Sequence, residues 1–289
     1  MKKEFHFNNR NPFKLSFYYS FIFLKNWLKM SNIYSNSKLS SFEQCPLKYK
    51  YRYIDKIIPE IEQTIEAFLG GMVHETLEWI YTEVKKGNNP DLDSVIDYYI
   101  RLWNNCYKKD FKITRIECDA EHYFNLGIKF VIDYFMANSP FKDNTIALEH
   151  KILISLDSEG KYMVQGFIDR LVHDKETNIF EIHDYKTANT MKTQEELDCD
   201  RQLALYSIGI KKSFPDVKDV HLVWHYLAYN RKMHSKRTDE ELEKLKQDIM
   251  SLIDKIEASQ EFPACPSALC GWCEYQGICP TRTNNNKKC

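Results

Sequence analysis

The sequence predicts a single α/β domain in which β-strands alternate with amphipathic helices. Two observations carry this prediction. Runs rich in β-branched and aromatic residues predict strands at 145–156, 162–172, 179–186 and 219–229. Apolar residues at helical spacing predict helices before, between and after these strands, with a helical insertion over about 88–140.

The predicted helices are marked by end signals as well as by apolar stripes. A serine-rich entry predicts a first helix with Ser40 or Ser41 as its N-cap. The pair Gly70-Gly71 is expected to open the next helix, which Gly87 stops. Further helices are predicted at 91–108, 119–137, 193–214 and 238–258.

The composition is that of a soluble globular protein, with 43% hydrophobic and 28% charged residues. A net charge of −1 excludes a global basic field, so nucleic-acid binding would depend on a local patch. Residues 48–53, KYKYRY, interleave cations with aromatic rings and suit such a patch. They suit equally well a solvated helix face with its tyrosines turned inward.

The hairpin predicted in the middle of the chain ends in side chains that can bind a metal. Residues two apart in a strand share a face, so Asp184 and Lys186 point the same way. A turn over 173–178 sets Asp169 opposite Ile182 and diagonal to Asp184. Two carboxylates and a lysine suffice to bind a divalent metal and activate water, although ordinary surface hairpins also carry such residues.

The cysteines are concentrated near the C-terminus. Nine are present, and their odd number and a Cys-x-x-Cys spacing favour metal ligation over a secreted disulfide framework. Five of them fall within the last 25 residues: Cys265, Cys270, Cys273, Cys279 and Cys289.

Six short motifs occur in a fixed order along the chain. They are Cys45-Pro46, Gly70-Gly71-x-x-His74, Gly166-x-x-Asp169, Asp184-Tyr185-Lys186-Thr187, Gln202-x-x-x-Tyr206 and Cys270-x-x-Cys273-x-x-x-x-x-Cys279-Pro280. Together they resemble the RecB-like branch of the PD-(D/E)XK nuclease superfamily. Within that branch the chain is most similar to members with an iron–sulfur cluster, namely the AddB nuclease domain and the CRISPR-associated exonucleases. The resemblance covers about residues 37–281, with Gly-Phe-Ile-Asp in place of the Pro-Asp of the superfamily name.

The resemblance implies a restriction-endonuclease-like core, with a mixed central β-sheet flanked by helices. It implies that His74, Asp169 and Asp184 bind the divalent metal, with the Tyr185 carbonyl as a further ligand. Lys186 would orient or deprotonate the attacking water and stabilise charge on the phosphate. Oxygen ligands select Mg²⁺ or Mn²⁺, and an imidazole ligand shifts the preference toward Mn²⁺.

The resemblance also assigns the remaining motifs. Gln202 and Tyr206 would support the site or hold the DNA backbone. A [4Fe–4S] cluster would use Cys45, Cys270, Cys273 and Cys279. A zinc ion is the alternative, because four cysteines also form tetrahedral zinc sites. Cys265 lies outside the family pattern and is expected to take no part.

The expected function is therefore metal-dependent hydrolysis of DNA. The preferred hypothesis is an exonuclease that acts on single-stranded ends in DNA repair or recombination, with a helicase as partner. One alternative is a CRISPR-adaptation nuclease that trims DNA before integration and works with adaptation proteins. Another is a catalytically silent DNA-binding subunit, against which the intact Asp169, Asp184 and Lys186 argue.

The two ends of the chain are expected to lie outside the nuclease domain, which spans 30–283 before a polar tail at 284–289. Residues 15–24 form an apolar aromatic run that is too short to span a bilayer. Neither a membrane span nor an export signal is found, so a cytoplasmic location is expected. We interpret 1–29 as an extension preceding the natural start at Met30. The alternatives are an extra packed helix or an interfacial anchor.

This interpretation predicts that residues 1–29 are dispensable. A chain beginning at Met30 should express, fold and cleave DNA like the full chain, because the extension carries none of the six motifs. Expression yield, thermal melting and nuclease assays on the two chains test this. Loss of solubility or activity on truncation would show that the aromatic run packs on the domain or anchors it.

Overall fold

The computed structural model describes residues 32–59, 64–109, 111–113, 115 and 117–283. The predictions for 1–29, for the start at Met30 and for the polar tail lie outside these residues. Within them, the strands are β1 Ile33–Ser35, β2 Thr145–Ser155, β3 Met163–Asp174, β4 Ile179–Lys186, β5 Asp219–Tyr226 and β6 Arg231–Lys236. The α-helices are α1 Asn36–Gln44, α2 Pro46–Tyr49, α3 Ile65–Lys85, α4 Leu92–Cys106, α5 Ala120–Asn138, α6 Gln194–Asp198, α7 Arg201–Ser213, α8 Asp239–Ala258 and α9 Pro280–Thr283.

The strands form one mixed sheet, which confirms the predicted fold class. Its order is β1-β3-β4-β5-β6, and β2 pairs with the other edge of β3. The β1–β3 and β4–β5 pairs are parallel, whereas β2–β3, β3–β4 and β5–β6 are antiparallel. β1 pairs with residues 163–165 of β3. Farther along the same strand, β4 pairs with residues 170–174. Among the described strands, neither β1 nor β4 pairs with residues 166–169 between them.

Two hydrophobic clusters hold this sheet. The first cluster joins the sheet to α1, α6, α7 and α8, and it includes Ile182 and Trp224. The second cluster joins α3, α4 and α5, the latter two within the predicted insertion, and it includes Tyr185. Successive residues of a strand point to opposite faces, so β4 contributes side chains to both clusters. No helix in the described part of the chain is long and apolar enough to cross a membrane.

The starts of the first and third helices differ from the sequence prediction. α1 begins at Asn36, because the Ser35 hydroxyl accepts the Lys38 N–H at 3.1 Å and so caps the helix earlier than Ser40 or Ser41 would. α3 begins at Ile65, where Thr64 is the cap, and it continues through the Gly70-Gly71 pair. A Cβ on Gly70 would lie 3.2 Å from the Thr187 hydroxyl, so glycine permits this close approach.

The region predicted as one helix over 193–214 is two helices. Thr193 and Glu196 form a capping box at the start of α6. Asp200 then caps α7 by accepting the Gln202 N–H at 2.9 Å, which separates the two helices. The strand β6 was not predicted, because its sequence RKMHSK buries only Ser235 and so lacks an apolar face.

The β3–β4 hairpin forms as predicted, but its turn is shorter. His173 and Asp174 belong to β3, so the turn spans only 175–178. The Asp174 carboxylate accepts the Glu176 N–H at 2.9 Å and thereby closes the turn. The register pairs Leu171, not Asp169, with Ile182, so the predicted register was wrong by two residues.

Candidate active site

β3 and β4 separate at the point where the predicted site residues lie. Their pairing ends at Arg170 and His183, while β4 continues along β5 through Lys186. Extended by one residue, the register sets Asp169 opposite Asp184. At this point the Asp169 carboxylate accepts the Tyr185 N–H at 2.9 Å, so a side chain replaces the missing strand bond.

Three side chains converge here with the spacing of a metal site. His74, Glu149 and Asp169 each offer a ligand atom, and these atoms lie within 4.8 Å of one another. His74 Nδ1 is 3.4 Å from Asp169 Oδ2, and its Nε2 donates to the Tyr185 carbonyl at 2.9 Å. Two carboxylates, an imidazole and a carbonyl are a donor set that suits Mg²⁺ or Mn²⁺.

The register of β2 on β3 brings Glu149 and Asp169 together. β2 pairs Leu148 with Arg170 and His150 with Ile168, so Glu149 lies opposite Asp169. Glu149 has a positive φ of 41°, which is uncommon for a non-glycine residue. β3 is also irregular at this point. Ile168 and Arg170 are two residues apart and would share a face in a regular strand, but Ile168 packs in the first cluster whereas Arg170 contacts Tyr81 of the second.

Asp184 and Lys186 form a second part of the same site. Lys186 Nζ lies 2.6 Å from Asp184 Oδ2, and Gln202 donates to Asp184 Oδ1 at 3.3 Å. Lys186 also donates to the Gln202 amide oxygen at 3.4 Å. Tyr206, 5% exposed, interacts with Gln202 and packs against Gly166, where an added Cβ would lie 2.2 Å from its ring.

The surroundings of the site raise the pKa values of Asp184, Glu149 and Lys186, for different reasons. Burial raises the pKa of Asp184 to about 6; the Asp169 carboxylate adds to this shift and Lys186 opposes it. Nearby protein atoms partly remove water from Glu149 and so raise its pKa, and the negative charge of Asp169 adds to this shift. Burial works to lower the pKa of Lys186, but the Asp184 and Asp169 carboxylates outweigh it and the net shift is upward. Lys186 is therefore a cation at neutral pH.

A buried arginine lies directly beneath these residues. Arg170 is 1% exposed and pairs with Asp143. Its guanidinium donates to the Tyr185 hydroxyl at 3.0 Å and to His183 Nδ1 at 2.8 Å, and it lies 4.2 Å from the centre of the Tyr81 ring. Burial lowers the pKa of His183, so this histidine stays neutral and can accept from the arginine.

The structure brings together six of the residues that the sequence predicted for the active site. The predicted cluster cysteines lie in a separate cavity. His74, Asp169, Asp184, Tyr185, Lys186 and Gln202 meet at the strand separation, with Tyr206 behind them. Glu149 was missed in the sequence, because only the β2–β3 register reveals that it faces Asp169. The Asp184 carboxylate, predicted to bind the metal together with His74 and Asp169, lies outside the group of three donors within 4.8 Å of one another and contacts Lys186 and Gln202.

The four motif cysteines line one cavity, and none of the candidate active-site residues lines it. Cys45 lies across from the C-terminal segment that holds Cys270, Cys273 and Cys279. The Cys45 sulfur accepts the Cys265 N–H at 3.4 Å, and the Cys270 sulfur accepts the Ser267 N–H at 3.3 Å. The Cys265 residue, expected to take no part, lines the same cavity.

The comparisons with known proteins agree with the fold. A family model described as the PD-(D/E)XK nuclease superfamily matches residues 34–280. The chain therefore belongs to the PD-(D/E)XK nuclease superfamily, whose members hydrolyse phosphodiester bonds with divalent metals.

Two solved structures resemble this one, and a search of curated proteins found no match. A candidate exonuclease from Eubacterium rectale has 10% sequence identity and a TM-score of 0.48, over 88% of this chain and 88% of that chain. The protein named SSO0001 has 14% identity and a TM-score of 0.40, over 90% of this chain and 92% of that chain. Both TM-scores are below 0.5, and no conclusion on function follows from either likeness.

The raised pKa of Asp184 predicts that metal binding weakens in acid. Below about pH 6 the Asp184 carboxyl takes up a proton, and that proton must leave before the group can hold a metal. The affinity for Mn²⁺, measured by titration calorimetry, should therefore fall between about pH 7.5 and pH 5. Circular dichroism at each pH verifies that the chain stays folded.

Two variants isolate the contribution of this carboxyl. Asp184→Asn should bind Mn²⁺ more weakly and show a shallower pH dependence, because one titrating group is gone. Asp248→Asn, an exposed aspartate on α8, should behave like the wild type. The same pH dependence in wild type and Asp184→Asn would contradict the prediction.

Proposed function

We propose that the chain is a metal-dependent deoxyribonuclease, an exonuclease that acts on single-stranded DNA ends in repair or recombination. One observation supports this proposal above all: three metal donors and the Asp184–Lys186 pair meet where β3 and β4 separate. Family membership supports cleavage of phosphodiester bonds and suggests DNA as the substrate. Exonucleolytic action, single-strand preference and the repair context are part of the proposal.

The donor set identifies the residues that would hold the metal. His74, Glu149 and Asp169 form its first ring, with the Tyr185 carbonyl and the Asp184 carboxylate at its edge. When bound, the metal would polarise the phosphate and lower the pKa of a bound water toward neutrality. Mg²⁺ and Mn²⁺ both suit this set, and the imidazole favours Mn²⁺.

The lysine has an electrostatic role. Because Lys186 stays protonated beside Asp184, its ammonium orients the attacking water and stabilises the charge that develops on the phosphate. Of the two roles that the resemblance implies for it, deprotonation of water is therefore the less favoured. Gln202 and Tyr206 support the site, since Gln202 binds both Asp184 and Lys186 and Tyr206 is buried behind them.

The catalytic residues can be tested by substitution. Asp184→Ala or Lys186→Ala should lower the rate of cleavage of labelled single-stranded DNA by at least about 100-fold. The first substitution removes a carboxylate proposed to hold the metal, and the second removes the ammonium proposed to stabilise the charge on the phosphate. DNA binding, measured by fluorescence anisotropy in EDTA, should stay nearly unchanged. Lys175→Ala, in the β3–β4 turn, is the matched control and should cleave normally.

The same assay separates the proposed activity from its alternatives. Chelation should stop cleavage, and circular single-stranded DNA should survive if the enzyme needs an end. Cleavage of the circle would replace the exonuclease with an endonuclease. Equal activity in wild type and Asp184→Ala would overturn the assignment, and binding without cleavage in any metal would favour the silent DNA-binding subunit. Trimming only in the presence of adaptation proteins would favour the CRISPR-adaptation nuclease.

A [4Fe–4S] cluster at the four motif cysteines is the second part of the proposal. The two N–H···S bonds to Cys45 and Cys270 suit thiolates, whose charge such bonds stabilise. Four sulfurs around one zinc ion would lie about 3.8 Å apart, since Zn–S bonds are about 2.3 Å long. In the described chain, the group of donors within 4.8 Å is the histidine–carboxylate group and not the cysteines, which favours the larger cluster over zinc.

The cluster should be mainly structural, because it connects α1 and α2 to the C-terminal segment and lies apart from the metal donors. Cys45→Ser should lose bound iron, lower the melting temperature and reduce cleavage indirectly. Anaerobically purified wild type should be brown, with about four irons and four sulfides per chain. Cys265→Ser is the control and should keep the iron. Colourless protein with one zinc would refute the cluster and leave the nuclease proposal intact.

A further inference from the structure

One large apolar side chain lies exposed beside the metal donors. Phe167 is 52% exposed, although its strand neighbours Gly166 and Ile168 are buried on the side of the first cluster. Side chains alternate between the faces of a strand, so Phe167 projects from the opposite face. Among the residues that the structure describes, most large aromatic side chains are at least half buried, which makes this exposed ring beside the candidate site informative.

The neighbours of Phe167 form a short strip that leads to the metal donors. The β2–β3 register sets Lys151 opposite Phe167 and Leu153 opposite Gln165. In the other direction, beyond the His150–Ile168 pair, Glu149 and Asp169 lie opposite each other about 7 Å along β3 from Phe167. The strip thus runs from the metal donors to a cation beside an aromatic ring, and then to Leu153, which is 39% exposed.

The ring is presented by a rigid backbone. Tyr206 packs against Gly166 and contacts the backbone of Phe167, while Tyr206 itself is buried and interacts with Gln202. β2 pairs with β3 along this whole stretch, so the strand cannot move independently. Little conformational freedom is therefore left to lose when a flat ligand covers the ring.

We infer that Phe167 is a base-stacking residue, which holds the base of the nucleotide next to the phosphate at the metal donors, with Lys151 beside that nucleotide's backbone. This inference rests on the proposed function and names how the same site holds its substrate. A phenylalanine ring stacks on any base, and the lysine supplies charge complementary to phosphate. Lys151 forms no salt bridge with any residue that the structure describes, so its charge is available.

Stacking at this position favours single-stranded DNA. In a duplex each base is covered by its neighbours, whereas an unpaired base offers a free face to an aromatic ring. The strip therefore provides a physical reason for selecting single-stranded ends. It also predicts tolerance of base sequence, because the phenylalanine side chain has no hydrogen-bonding group to read base edges.

The test measures the affinity of the full chain for a fluorescent single-stranded oligonucleotide in EDTA, which stops cleavage. Phe167→Ala should weaken binding by about 5- to 150-fold. Phe167→Trp should restore it, and Phe167→Leu, apolar but without a π-face, should not. Lys151→Gln should reduce the dependence of affinity on salt. Phe214→Ala is the matched control, since Phe214 is 42% exposed and packs on Phe180 near the turn end of the hairpin.

An abasic scan identifies the stacked nucleotide. One position lacking its base should weaken wild-type binding about as much as Phe167→Ala does, and the same change should have no effect in Phe167→Ala. Full recovery with Phe167→Leu, or equal effects of the abasic change in both proteins, would overturn stacking. Unchanged DNA affinity in Phe167→Ala would overturn it too and assign the exposed ring to a protein partner.

The outcomes also separate this inference from the proposed function. If the wild type cleaves single-stranded DNA but Phe167→Ala binds it equally well, only the stacking role fails. If the wild type neither binds nor cleaves single-stranded DNA, the proposed function fails and the stacking role fails with it.

Discussion

The site depends on one buried charge, the guanidinium of Arg170. Burying a cation is unfavourable unless it is paired and hydrogen-bonded, and Arg170 meets both conditions through Asp143, the Tyr185 hydroxyl and His183. These partners come from β4 and from the segment before β2, and a Tyr81 ring of α3 covers the group. Arg170 directly follows Asp169, and Tyr185 lies between Asp184 and Lys186. The arginine therefore helps to fix the positions of Asp169, Asp184 and Lys186, the residues proposed to act on the substrate phosphate.

The separation of β3 from β4 explains why the reactive groups are accessible at all. A continuous ladder would pair the backbone of Asp169 with that of Asp184 and fill the space between the strands. Because pairing stops at Arg170 and His183, the Asp169 carboxylate can bind the Tyr185 N–H and still face His74. Tyr206 packs against Gly166, which lies in the stretch of β3 that pairs with neither β1 nor β4.

Local signals in the sequence were sufficient for most elements but not for long-range register. The strands β2 to β5 and the helices α4, α5 and α8 have strong apolar patterns, and the structure confirms them. The hairpin register was wrong because Asp174 closes the turn with its own side chain and thereby adds two residues to β3. Glu149 could not be found, since its role depends on a pairing with Asp169 that no local pattern encodes. The order of the six motifs indicated the family, and no single motif would have done so.

The short turn at 175–178 has a practical consequence. The turn and the reaction site lie at opposite ends of the same ladder, separated by five residue pairs, or about 14 Å. The turn is also exposed, and its residues contribute to neither hydrophobic cluster. It is therefore a suitable place to graft a dye or an affinity peptide. A label there would be attached to the two strands that carry Asp169 and Asp184, so it could report motion of the hairpin at a distance from the candidate site.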